Sequence, residues 1–386
     1  MSKPNNFSGR FAGRFTMNRR QFLTTALWGT AGLSLLPLLP SCSTLDEYLI
    51  EDQFDFDNEV VIIGGGIAGL YAAYELKKNR IPFKIFEASS RLGGKIQTID
   101  KTEWGAFEFS KNDTNLNKLA KELNLEKADL DNKTWTFKRG TSALVDELSE
   151  IVQGLIPEKQ IRLQHRLVSL RKLGSRYQLT FQTGQRERMF FARKVILALP
   201  QDVILKIRHL DEVKDVKPVL DQLAQARNWT NIRIVSPTNQ INTNFKRGLR
   251  INAELMAQAF YKMTSAQTTQ FVVRQRQDQV IFTFRMPIDH PLRPIQHLEG
   301  VMHKFTHPQF VLNSENCKDW GLEALDSRSQ QEIDTRSIAF PTGKLRILTE
   351  SFVPVMGLPT TLAAKSSIES LLQLVDQEVQ FFKLDI

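Results

Sequence analysis

Cysteine is nearly absent. The 386-residue chain has two, Cys42 and Cys317. Two thiols exclude a metal–thiolate cluster, and no disulfide can form within one chain if Cys42 is modified. Histidine is scarce too, and His290, His297, His303 and His307 fall close together with prolines between them. No acids or thiols stand in matching positions, so a surface loop is expected there and no metal site. A long unbroken apolar run is also missing. The stretch Thr24 to Leu39 is interrupted by Gly29, Gly32 and Pro37. It is too short and too broken for a comfortable membrane crossing. Acidic residues are missing from the first 41 positions, which hold five of the chain's 51 basic residues. Without that leader the balance is 46 basic against 42 acidic, a net of +4, so the high pI is partly the leader's. Nothing in this balance demands a nucleic-acid partner.

What the leader does contain is Arg19-Arg20-Gln21-Phe22-Leu23 ahead of the apolar stretch. This reads as a twin-arginine export signal over residues 1–41, recognised by the twin-arginine export machinery. Leu39-Pro40-Ser41-Cys42 resembles a lipoprotein box, with Cys42 as the lipidated residue, although Pro40 is atypical there. Residues 42–58, rich in Asp and Glu, are expected to tether the domain to the outer face of the membrane or leave it in the periplasm.

The main chemical signal is Val60-Val61-Ile62-Ile63-Gly64-Gly65-Gly66-Ile67-Ala68-Gly69. The β-branched run predicts a buried parallel strand, and Ala72, Ala73, Tyr74 and Leu76 then follow at helical spacing. In this G-x-G-x-x-G, Gly64 permits the turn, Gly66 lets backbone approach a pyrophosphate, and Gly69 lets helix and strand pack closely. The helix start offers free N–H groups to phosphate. A second strand, Phe83 to Phe86, ends in Glu87, placed to accept the hydroxyls of a ribose. Together these residues predict a dinucleotide site on an α/β domain.

Beyond Glu87 the sequence runs Ala88-Ser89-Ser90-Arg91-Leu92-Gly93-Gly94-Lys95, where Arg91 is a candidate phosphate partner. This E-A-x-x-R-x-G-G-K segment resembles the flavin-containing amine oxidase superfamily, which includes phytoene desaturase-like and protoporphyrinogen oxidase-like enzymes. The resemblance implies FAD, held noncovalently, on a Rossmann-like domain built from discontinuous segments. Its expected segments are 59–110, 139–205 and 337–386, with an α+β substrate domain at 111–138 and 206–336. It also implies that Gly105 and Ala106 bring backbone to the flavin ring, with Glu103 near the family's acid. Trp104 and Trp320 fit core and flavin-pocket wall equally well. Leu167 falls where the family places a valine against adenine, and Glu350 where its last strand meets the ribityl chain. Thr360 and Thr361 open a final helix aimed at the ring, as the resemblance implies. Many relatives carry a lysine near flavin N5. Here Asn231 or Arg233 aligns with it, and Arg233 reads either as a stabiliser of anionic reduced flavin or as a strand-edge charge. The implied activity is oxidation of an amine or amino-acid-like small molecule by hydride transfer to flavin N5, with oxygen or a quinone as acceptor. Alternatives are a desaturase or protoporphyrinogen-type oxidase, and a flavin-binding protein without turnover.

The export signal gives a first prediction. Replacing Arg19 and Arg20 together by Lys keeps the charge and removes the guanidinium geometry. Cell fractionation is expected to find the variant folded in the cytoplasm with FAD and the parent beyond the membrane. Equal export of both contradicts the signal.

Overall fold

The structure is a computed structural model that describes residues 54–130, 132–153, 160–214, 216–225, 229–242, 270–276, 278–287, 295–319, 345–348 and 367–383. The export signal, Cys42, Trp320, His290, Glu350, Thr360 and Thr361 lie outside them.

The first strand, β1 (Phe54–Ile63), begins inside the stretch expected to be tether. The reason is pairing: Phe54, Asp55 and Phe56 already lie in register with Phe190, Phe191 and Ala192. A glycine turn leads to α1 (Ile67–Lys78) and then β2 (Phe83–Phe86). Two short strands, β3 (Thr98–Ile99) and β4 (Thr102–Glu103), form a hairpin. Next come β5 (Phe109–Ser110), α2 (Thr114–Glu122), β6 (Lys127–Asp129), β7 (Thr134–Phe137) and α3 (Ser142–Gln153). Strands β8 (Ile161–Arg162), β9 (Arg166–Leu173), β10 (Arg176–Thr183) and β11 (Arg186–Leu197) follow, then α4 (Gln201–Ile204) and α5 (Lys217–Gln225).

The parallel part of the main sheet runs β8-β2-β1-β11, with β16 (Leu345–Ile347) beside β11. This is the open, doubly wound arrangement whose ligand crevice lies at the strands' carboxyl ends. β11 is long because it serves two layers. Its first half pairs antiparallel with β10, and its second half, Lys194 to Leu197, runs parallel to β1. One sheet face packs on the meander through Val61, Ile63, Phe86, Phe181, Phe190 and Leu197. The rings of Phe86 and Phe181 stack with centroids 4.4 Å apart. The other face packs on α1, α3 and the final helix α7 (Ser367–Lys383). Both faces are covered, which is why these strands read as continuous apolar runs.

The segment 111–138, expected on the substrate side, contributes Leu116, Leu119, Trp135 and Phe137 to that second core. A carboxylate fixes it there. Glu369 of α7 is fully buried and accepts hydrogen bonds from Asn115 N (3.0 Å), Leu116 N (2.8 Å) and Thr114 Oγ1 (3.0 Å). It thus caps the start of α2 from another part of the chain, where anionic charge suits the helix dipole.

A separate four-stranded antiparallel sheet has the order β13-β14-β12-β15. Its strands are β12 (Trp229–Pro237), β13 (Gln270–Arg276), β14 (Gln279–Pro287) and β15 (Cys317–Asp319), with α6 (Ile295–Met302) between the last two. The strand periodicity at Ile232, Ile234, Phe282 and Phe284 packs one face into its own core with Leu298 and Met302 of α6. The expected α+β lid is this sheet. His303 Nε2 donates to Phe310 O (2.9 Å). No metal cluster occurs among the described residues.

Glu369→Ala is expected to strip the three donors at the start of α2 of their buried acceptor. With charged hydrogen bonds at stake, the loss is on the order of 3 kcal/mol. A lowered denaturant midpoint measures it. An unchanged midpoint would show that the cap does not hold α2.

Candidate functional site

The site starts from glycines that touch. Gly64 has φ +107°, and a Cβ on it would lie 2.2 Å from Ala198 O. A Cβ on Gly69 would lie 1.9 Å from Gly64 O, so α1 packs against the turn only without side chains. Gly66 behaves differently: the nearest atom to its notional Cβ is Gly94 Cα at 3.9 Å. That open space lies at the N-cap of α1, which has no side-chain cap bond and no acid in its first turn. Ile67 and Ala68 are buried there. Free N–H groups, a positive dipole end and an absent side chain are what a pyrophosphate requires.

The second glycine loop lies on the first. Gly93 N donates to Gly65 O (2.8 Å), and Gly66 bridges Gly93. Arg91 has a task within its own loop. Its guanidinium donates to Leu92 O (3.0 Å), Ile96 O (3.2 Å) and Gly94 O (2.6 Å), which makes it the brace of its own loop. Burial lowers its pKa. A fork of five donors suits three converging carbonyls better than the lysine alternative does.

Glu87 sits at the end of β2 as expected. Its Oε2 accepts from Gly65 N (2.6 Å) and its Oε1 from Ser89 N (2.8 Å). The carboxylate is therefore locked in place, with further lone pairs left for ribose hydroxyls. Ala88 is exposed beside it. The sequence reading missed Gln164 and His165, whose backbone N–H groups donate to Ser89 O (3.0 Å) and Glu87 O (2.8 Å). These two residues hold the backbone of Glu87 and Ser89. Leu167 lies two positions on, on β9, with its side chain buried in the meander core.

Gly105 packs on the second loop so closely that a Cβ would lie 1.8 Å from Lys95 O. Trp104 N and Gly105 N both donate to Gln97 O, at 2.8 and 3.3 Å. Trp104 is core: with Phe107 it packs against Val235 and Ile281 of the lid sheet. Ala106, half-buried, packs against the helix-side core. Glu103 is fully buried and accepts from Thr98 Oγ1 (2.8 Å) and Thr141 N (2.9 Å), tying the β3–β4 hairpin to the start of α3.

The lid meets this segment through polar contacts. Arg233 Nη1 donates to Glu103 O (3.2 Å) and to Gly105 O, its Nε to Thr283 Oγ1 (3.3 Å), and its guanidinium stands 5.0 Å from the Phe107 ring centroid. Desolvation lowers its pKa to about 10, with Glu103 and Glu108 opposing, so it stays charged at neutral pH. It is no strand-edge surface charge. Asn231 lies two residues earlier on β12, in register with Arg285. Lys318 Nζ contacts Gln97 Oε1, and Arg274 holds Glu108 through two contacts of 2.7 and 2.5 Å. Gln279 and Thr102 complete the seam (3.0 Å).

Two family descriptions match this region: an NAD(P)-binding Rossmann-like domain over residues 62–123, and flavin containing amine oxidoreductase over 104–253. Over these residues the chain is similar to the flavin amine oxidase superfamily. Coproporphyrinogen III oxidase of Bacillus subtilis (strain 168) is 41% identical over 90 residues, covering 21% of this chain and 19% of that protein. Mitochondrial protoporphyrinogen oxidase of Nicotiana tabacum is 32% identical over 103 residues, 25% of this chain and 20% of that protein. The chain thus spans about a fifth of these relatives' length. Among solved structures, cyclohexylamine oxidase from Brevibacterium oxydans IH-35A superposes with a TM-score of 0.53 at 12% identity, covering 85% of this chain and 99% of that one. That likeness establishes a Rossmann-like α/β fold with mixed α/β sheets. FAD is the cofactor these matches imply, and the paired glycine loops, the bare α1 N-terminus and the fixed Glu87 carboxylate fit it.

Glu87→Ala is expected to weaken FAD binding at least tenfold more than Glu108→Ala, because Glu108 serves Arg274 instead. Two charged hydrogen bonds to ribose, each about 1.5–3 kcal/mol, are at stake. Equal FAD dissociation constants for the two variants refute the ribose assignment.

Proposed function

We propose that this chain is an exported FAD-dependent oxidoreductase that oxidises a small molecule at a C–H bond beside nitrogen, in an amine or amino-acid-like substrate. The observation that carries the reading is the stacking of the two glycine loops at an uncapped helix start, with Glu87 locked beside them. FAD, when bound, supplies a hydride acceptor at N5, and oxygen or a quinone takes the electrons onward. The chain's own residues do the positioning. The α1 N–H groups receive the diphosphate and Glu87 receives the ribose. Gly105 and Ala106 offer backbone rather than side chain to the ring. The lid sheet shields that segment from water through Trp104, Phe107, Val235 and Ile281. Cys317 is buried in the lid and its pKa is pushed up to about 11, so it is no candidate for a flavin thioether.

A second reading is a desaturase or protoporphyrinogen-type oxidase. The porphyrinogen oxidases among the curated relatives favour it. The twin arginines and Cys42 support export and a lipid anchor in either case.

The purified protein is expected to be yellow and to release FAD on heating or acid treatment. Anaerobic addition of an oxidisable substrate should bleach the flavin absorbance. A colourless protein that cannot be reconstituted with FAD contradicts the reading. A yellow protein bleached by no amine, amino acid or porphyrinogen contradicts turnover.

A further inference from the structure

The outward face of the meander sets apolar side chains within an excess of positive charge. Arg176, Gln178 and Thr180 alternate along β10 and so share one face. Register places Leu173 and Arg171 of β9 beside Arg176 and Gln178, and Phe191 and Met189 of β11 beside Gln178 and Thr180. The opposite face, with Tyr177, Leu179 and Phe181, fills the meander core. Leu173 and Met189 are each 49% exposed, and Phe191 is half-buried in the row between theirs. Gln178 Nε2 donates to Met189 Sδ (2.8 Å), which holds the thioether on this face. Around them, residues 161–200 hold nine basic side chains and one acid, Glu187. That acid serves Arg208, which lies outside the nine. Asp55 and Asp57 of β1 neutralise Arg176 and Arg193. The meander therefore keeps a net positive charge after these ion pairs are counted. Arg171 is exposed, and its contact is with His209 (2.7 Å) rather than with an acid. Large apolar side chains exposed on a basic sheet mark an interaction surface.

We propose that this face rests on an anionic phospholipid bilayer, with Leu173, Met189 and Phe191 among the headgroups and the surrounding arginines against their phosphates. Two observations select lipid over other occupants. The charge is complementary to anionic headgroups, and each basic residue near such a surface adds attraction. The face is also continuous with the strand that leads back toward Cys42. Phe54 is in register with Phe190, and eleven residues separate it from Cys42, a reach of at most about 40 Å. The proposal rests on the reading of an exported chain anchored at Cys42. It adds what a flexible anchor does not give, a fixed orientation of the domain on the membrane.

The test uses the full chain with Cys42→Ser, so that no acyl chain can attach there. A fluorophore is placed on a cysteine introduced by Met189→Cys or, on the lid, by Val311→Cys; Cys317 is buried and stays unlabelled. Vesicles of phosphatidylcholine, with or without phosphatidylglycerol, carry a quencher at headgroup depth. In the anionic vesicles the label at position 189 is expected to be quenched at least threefold more than the label at 311. The leader is present in every form, so it adds equally to partitioning and does not favour one label. Arg171→Glu should lower partitioning into anionic vesicles at least fivefold with FAD content unchanged, and raised salt should lower it too. Equal quenching of the two labels overturns the proposal, as does equal partitioning into neutral and anionic vesicles, or none into either. A dimer in light scattering that Met189→Asp dissociates assigns the face to a second copy of the chain and also overturns it. Failure of the export reading is distinguishable, because it shows in fractionation of the Arg19 and Arg20 variant, whereas failure of this proposal shows in the label readout.

Discussion

Close backbone contact is the constraint on which this structure depends. The turn at Gly64 meets the strand end at Ala198, and the first turn of α1 at Gly69 meets Gly64, at distances that leave no room for Cβ atoms, while the loop at Gly93–Gly94 lies on the helix start at Gly66. Each contact has a different consequence. Gly64 against Ala198 sets the exit of β11 from the sheet. Gly69 against Gly64 sets the angle of α1. Gly66 beside Gly94 leaves the only one of these positions with space to spare, and that space faces uncapped N–H groups. Side chains then hold the contacts: Arg91 through three loop carbonyls, and Glu87 through two backbone amides.

The lid is attached by other physics. Trp104 and Phe107 bury apolar area against Val235 and Ile281, while Arg233, Arg274, Lys318 and Gln279 make polar contacts along the same strip. Apolar burial supplies most of the attraction and the directional bonds set the alignment. The strip that holds the lid is also the strip that would face the flavin ring. Any change in lid seating is therefore felt at Gly105, a carbonyl that Arg233 contacts directly.

Much of the parallel sheet was legible because its signals are local. The apolar run into Gly64 and the acid at Glu87 each follow from short-range geometry. Other features depend on partners distant in sequence. The bracing role of Arg91 was hidden because its loop's own carbonyls could not be seen converging on it. The start of β1 at Phe54 was hidden because Asp55 and Asp57 read as solvated tether. They instead pair with Arg176 and, for Asp57, Arg193, on strands more than a hundred residues later. Gln164 and His165 carried no motif, since they act through backbone N–H groups that any residue has. Segment 111–138 was set on the substrate side because Glu369, which draws α2 into the helix-side core, comes from the far end of the chain.

That Glu369 contact also orders events during synthesis. The helix-side core needs Leu372, Val375, Val379 and Phe382, and α2 needs its cap, all from the final helix. The glycine loops, Glu87 and the whole meander precede in sequence the residues that cover them. As the chain is made, α1 and α2 therefore present an apolar surface to solvent, a target for chaperones, until Leu372, Val375, Val379 and Phe382 follow.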